Sequence, residues 1–135
     1  MEPVKVIMRY TDGRLIKGYT NDFSPNKTQF HVRSIDSSPT DMGVEVQIRD
    51  LKAVFFVKDF AGDPAYCEKK DFTGSQQAVG RKMEVTFKDG EMMVGSTMGH
   101  DPKRAGFFLT PSDPQCNTLR VFVISASAIR TRFLQ

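Results

Sequence analysis

Apolar and polar residues alternate with a period of two along much of this chain, and the alternation occurs twice. Val4, Val6, Met8 and Tyr10 are interleaved with Lys5, Ile7 and Arg9, and Met83, Val85 and Phe87 with Lys82, Glu84, Thr86 and Lys88. Alternation of this kind marks a half-buried β-strand, because successive side chains point to opposite faces. Each run ends in Asp-Gly (Asp12-Gly13 and Asp89-Gly90), a strong hairpin signal, which predicts type I′ turns with both central residues at positive φ. A second strand follows at once (14–20 and 91–97), and a third comes after a Pro-containing turn (28–34 and 105–110). Loops rich in Ser, Pro and Asp (35–43 and 111–118) lead to the closing pairs, 44–49 with 53–57 and 119–124 with 128–134. These loop residues suit exposed turns and make poor central strands. Only 64–70 reads as a short helix.

The alternation belongs to an internal repeat, which fixes the folding unit. Lys5 to Phe30 matches Lys82 to Phe107 at a constant offset of 77 residues, with Gly18 on Gly95 and Pro25 on Pro102. Beyond that, the apolar pattern predicts two dropped residues, setting Val46-Gln47-Ile48 on Val121-Phe122-Val123 and Ala53-Val54 on Ala128-Ile129. Each unit is a five-strand module of about 55 residues, a size that buries only about 60% of its unfolded surface, so the two are expected to pack together. Short antiparallel strands with tight turns hide their edges by curling. The predicted fold is therefore all-β, with two tandem five-stranded small barrels: 1–57, a connector over 58–81, and 82–135. The first part of the connector holds Phe60 and Tyr66 and is expected to pack on a barrel, whereas 73–77 has the composition of a surface linker.

Adjacent aromatics add a constraint. Phe55-Phe56 and Phe107-Phe108 each place neighbouring rings on opposite faces of one strand. One ring of each pair must leave its own barrel core, for the seam between the copies or for a partner surface.

Nineteen basic against sixteen acidic residues give a formal charge of +3. The excess is one in 1–57, none in 58–81 and two in 82–135, so the sequence has no concentrated basic stripe and nucleic-acid binding is expected to be weak at most. The acidic start Met1-Glu2-Pro3, and the lack of any apolar run near the roughly 18 residues of a membrane span, predict a soluble cytoplasmic protein with no membrane partner. Cys67 and Cys116 have no second ligand at metal spacing, and His31 and His100 sit in no metal or hydrolase motif. No metal, cofactor or catalytic set is expected. Asp12, Gly13, Gly18, Asp89, Gly90 and Gly95 read as conformational residues of turns and close strand approaches.

The strand order and turn residues resemble the Sm-like fold, a five-stranded SH3-like barrel. Asp12-Gly13-Arg14, Gly18, Asp22 and Asn26 are similar to its first motif, and 46–57 to its second, with Asp50 where a Gly is expected. The resemblance implies RNA or nucleotide contacts in the first copy through Asp22, Asn26 and Arg49, with Arg14 and Arg33 nearby. The second copy departs from it with Ala105 and Ser127. The whole chain resembles an uncharacterised bacterial group of tandem barrels through strings such as 52–62 and 106–111. Related modules accompany signalling domains, which implies regulation without naming a ligand. Residues 21–26 also resemble the PilZ signature, but Lys27 stands at its Gly position and Arg9 and Arg14 are five apart rather than four, which argues against cyclic di-GMP. The expectation is a non-enzymatic regulatory or adaptor module, monomer or homodimer. It would bind a protein partner through a strand edge or the seam, with RNA or nucleotide binding as the alternative.

Overall fold

The computed structural model describes residues 4–35, 43–60, 80–99, 103–112 and 117–134. The helix expected over 64–70, the linker 73–77, Cys67, Cys116 and His100 lie outside them. The described residues form β1 (Val4–Tyr10), β2 (Leu15–Thr20), β3 (Gln29–Ser34), β4 (Val44–Gln47), β5 (Leu51–Val57), β6 (Arg81–Phe87), β7 (Met92–Thr97), β8 (Gly106–Pro111), β9 (Thr118–Ile124) and β10 (Ala128–Phe133). One-turn 3-10 segments, Ile48–Asp50 and Ser125–Ser127, connect β4 to β5 and β9 to β10. The all-β class is as expected. The strands run antiparallel in one ten-stranded sheet, ordered β10-β6-β7-β8-β9-β5-β1-β2-β3-β4.

Within that sheet the second half repeats the pairing of the first at an offset of 77 residues throughout. Val4↔Thr20 recurs as Arg81↔Thr97, Phe30↔Val46 as Phe107↔Val123, and Tyr10↔Leu51 as Phe87↔Ala128. The two-residue drop is therefore absent: Val46 corresponds to Val123, and Leu51 to Ala128. A shift of two keeps every side chain on its own face, so alternation alone could not distinguish the registers.

The Asp-Gly hairpins also differ from expectation. No non-glycine residue among those described has positive φ, whereas Gly13 and Gly90 lie at +95° and +93°. Gly13 N donates to Tyr10 O (3.1 Å) and Tyr10 N to Arg14 O (2.9 Å), with Phe87, Gly90 and Glu91 bonded likewise. Each loop thus has three residues, a tight turn followed by one left-handed glycine, which leaves its first two residues in ordinary backbone. Asp12 and Asp89 brace these loops by accepting from the amides of Arg14 and Glu91, each at 3.0 Å.

The halves join where β5 pairs with β9, from Ala53↔Val123 to Val57↔Thr118. These two strands are apolar on both faces because each serves two cores. One cluster gathers Met8, Phe30, Val54 and Phe56 of the first half with Phe122 and Ile124 of the second. The other gathers Phe87, Phe107, Val121 and Val123 with Ala53, and Phe55 packs against it. The adjacent rings divide as strand geometry requires: Phe56 and Phe108 pack in the first cluster, Phe55 and Phe107 in the second. At the start of the connector, Phe60 meets Tyr19 edge to face at 5.2 Å, and Lys17 Nζ donates to Phe60 O at 3.0 Å.

Candidate functional site

The residues singled out in the first half are spread over the β1–β2 hairpin, the β2–β3 connection, β3 and the first 3-10 turn. Arg14 stays in its own hairpin, with Nε 2.8 Å from Asp12 Oδ2 and its guanidinium 4.4 Å from the Tyr10 ring. The Arg14 amide, more than any other influence, holds the Asp12 carboxyl below its ordinary value. Burial pushes the Tyr10 hydroxyl up. Asp22 is occupied by the β2–β3 connection: it accepts from His31 N (2.9 Å) and Thr20 Oγ1 (3.1 Å) and pairs with His31 Nδ1 (2.8 Å). Burial raises its pKa, but these bonds together outweigh that and hold it low. The Asn26 amide donates to Ser24 Oγ at 3.3 Å, and Arg33 is exposed on β3 opposite Tyr19. Arg49 is exposed in the first 3-10 turn, and of these five residues it alone lines either of the two clefts beside the seam.

Two clefts open beside the seam, of about 660 Å³ and about 810 Å³. The first runs over Ser96, Thr97, Phe108, Thr110 and Arg120, bordered by Pro25 of the other half. The second lies between the halves, with Thr28, Gln47 and Arg49 on one side and Lys103, Arg104 and Ser125 on the other. Arg104 lines both, so the two clefts adjoin at that side chain and are together called the groove.

The same local device holds the cations in place twice. Ile48 N donates to Thr28 O (3.0 Å), tying the turn that carries Arg49 to the entry of β3. Ser125 N donates to Ala105 O (2.8 Å), tying the second turn to the entry of β8, where Lys103 and Arg104 stand. Gly106 lets that entry approach β9: a Cβ there would lie against Val123 O and 2.6 Å from the Phe122 ring. Arg120, on β9, rests its guanidinium 4.3 Å from the Phe108 ring centroid and 4.7 Å from that of Phe56, a cation–π support from two rings.

Among the described lining residues the groove has four cations and no carboxylate, imidazole or thiol. In the cleft between the halves the Ser125 hydroxyl oxygen is buried without a hydrogen-bond partner. The other interhalf charge cluster is internally balanced: Lys52 Nζ bonds Asp89 (2.7 Å) and Glu91, and Arg9 also reaches Glu91 (3.2 Å). Arginines on a lining without a described carboxylate, beside an aromatic face, suit an anion with a planar part. Among the described residues no group of three or more His, Cys, Asp or Glu could hold a metal ion, and no helix is long and apolar enough to cross a membrane.

Sequence reasoning missed Lys103, Arg104, Arg120 and Ser125, which lie singly or in a pair and follow no motif. The one signal toward this site was the Phe107-Phe108 adjacency, which placed a surplus ring near the seam. Over residues 2–134 the chain belongs to a family of unknown function, DUF6982. No curated protein and no solved structure matches it.

Proposed function

We propose that this chain is a non-enzymatic binding module in which two Sm/SH3-like small barrels share the sheet and bind an anionic ligand in the groove beside their seam. The two core clusters, one for each repeated set of five strands, support the two-barrel reading. The observation that carries the function is the groove, where Arg49 from one half and Arg104 from the other line one cleft and Arg104 and Arg120 line the adjoining one, with no carboxylate among the described lining residues. A regulatory or adaptor role follows if occupancy of the groove alters how the halves meet, since β9 supplies both the groove and the seam. A protein partner by strand addition is the second reading, favoured by the sheet's open edges: Val44 on β4 is 53% exposed and Ile129 on β10 is 63% exposed.

Salt-dependent retention on an immobilised polyanion tests the groove. Arg49→Glu/Arg104→Glu should elute at much lower salt than Arg130→Glu/Arg132→Glu, which changes net charge equally on β10. Equal shifts in the two variants would show that retention reflects net charge, and the groove reading would fail.

A further inference from the structure

We infer that the groove is a mononucleotide site, with the phosphates among Arg104, Arg49 and Lys103 and the base lying on the outer face of the Arg120 guanidinium. The inference rests on the groove being the ligand site and adds the ligand's chemistry. The groove is polarised along its length. Three cations and the unpartnered Ser125 hydroxyl stand at one end, and the Arg120 guanidinium over the Phe108 ring stands at the other. Arg104 lines both parts and marks where they meet.

A phosphate suits the first end because guanidinium groups present forked donors to its oxygens. The Ser125 oxygen is buried without a bond of its own, and rotation of its side chain toward the cleft would give its hydroxyl one of them as acceptor. A base suits the second end because aromatic and guanidinium planes accept any π-face. Phe108 and Phe56 both lie against the Arg120 guanidinium, and the side chain as a whole is exposed, which leaves part of it open to a ligand. Each cleft taken alone, at about 660 Å³ or about 810 Å³, falls within the roughly 300–1,000 Å³ typical of small-ligand pockets, so the pair has room for a nucleotide. A single stacking platform and a net charge of +3 favour one nucleotide over a long single strand, which needs successive platforms and a basic track. An acidic peptide would use the cations and leave the stack unused.

Calorimetric titration of the full chain at low salt with ATP, adenosine, inorganic phosphate, a glutamate decapeptide and an adenine octanucleotide tests this. ATP should bind more tightly than adenosine or phosphate alone. Arg104→Gln should weaken ATP binding about 10- to 100-fold, as expected for loss of a charge-assisted contact. Arg120→Gln should weaken ATP binding while leaving phosphate binding as it was, and Arg132→Gln should change nothing. All three side chains are exposed, and circular dichroism checks that the variants remain folded. Adenosine binding as tightly as ATP, or ATP binding indifferent to Arg104→Gln, overturns the inference. Peptide binding that depends on Arg104, without ATP binding, overturns the nucleotide and keeps the groove; no binding of any anion overturns both. Octanucleotide binding far tighter than ATP, with a steep salt dependence, replaces the mononucleotide with a single strand.

Discussion

Lys52 is the residue where substitution should reveal how the halves are held together. Its side chain is only 9% exposed, on a strand whose register with β1 slips at Tyr10, and it crosses to the β6–β7 hairpin. There it bonds Asp89 and Glu91, with Nζ 4.7 Å from the Phe87 ring centroid. Ser127 Oγ, 2.7 Å from the Lys52 carbonyl oxygen, fixes the backbone at the same point. Lys52→Met keeps the apolar stem and removes the charge. Breaking a fully buried pair costs about 3–5 kcal/mol, and an exposed pair is worth at most about 1 kcal/mol. The cation is buried, but its acceptors are 57% and 32% exposed and can be rehydrated, so the loss should be about 1–2 kcal/mol. For a chain of this size that lowers the melting temperature by about 3–8 °C. The pH profile supplies a second measure. The Lys52 hydrogen bond is the chief cause holding the Asp89 carboxyl below its ordinary value. A depressed folded-state pKa gives stability that is present above the unfolded pKa and lost as pH falls through the folded one. The wild type's advantage over Lys52→Met should therefore shrink between about pH 5 and pH 3. A variant that melts at or above the wild-type temperature at pH 7 would refute the reasoning, because packing at the site would then outweigh the ion pairs.

Gly18→Ala should destabilise by about 1–3 kcal/mol in urea unfolding, since a Cβ there would lie 2.5 Å from Arg33 O and 2.6 Å from Val32 Cγ1. Gly13→Ala meets nothing within 4 Å and should cost only backbone strain, of order 1 kcal/mol. Asp22→Ala should lower stability by about 1–2 kcal/mol through loss of its bonds to His31 and Thr20, whereas Asn26→Ala should stay within about 0.5 kcal/mol; the reverse order would make Asn26 the structural residue of that turn. Fragments 1–60 and 80–135, expressed apart, should give poorly dispersed amide spectra, because each cluster takes side chains from both halves; two well-dispersed spectra would contradict this.

The strands were legible because alternation, turn residues and the repeat all carry the same information. Even the division of the paired rings followed from strand geometry. Register within the second half was less legible, since a shift of two preserves polarity on both faces. The turn type was ambiguous because Asp-Gly serves both two- and three-residue hairpin loops, and only the hydrogen bonds of Tyr10 and Phe87 distinguish them. The groove was illegible for a different reason. Arg49 belongs to one copy and Arg104 and Arg120 to the other. They converge only because β5 joins β9, and no local pattern announces that pairing.

The same asymmetric join explains why equivalent positions have diverged, and it leads to a stoichiometry. At the 77-residue offset, Ala53 and Phe55 of the seam strand β5 correspond to Arg130 and Arg132 of the edge strand β10. Charge on an open edge discourages further pairing, whereas the seam needs apolar contacts on both faces. The groove follows the same rule. Phe108 and Arg120, which build its stacking face, correspond to His31 and Gly43 in the first half, where neither a ring of that kind nor a guanidinium is available. Arg104 corresponds to Lys27, whose Nζ already donates to Asp22 O at 3.4 Å. Two copies of one strand scheme should therefore yield one ligand site per chain. Titration of ATP should reach a 1:1 end point, and a 2:1 end point with equal affinities would show that binding follows the repeated fold rather than the single groove beside its seam.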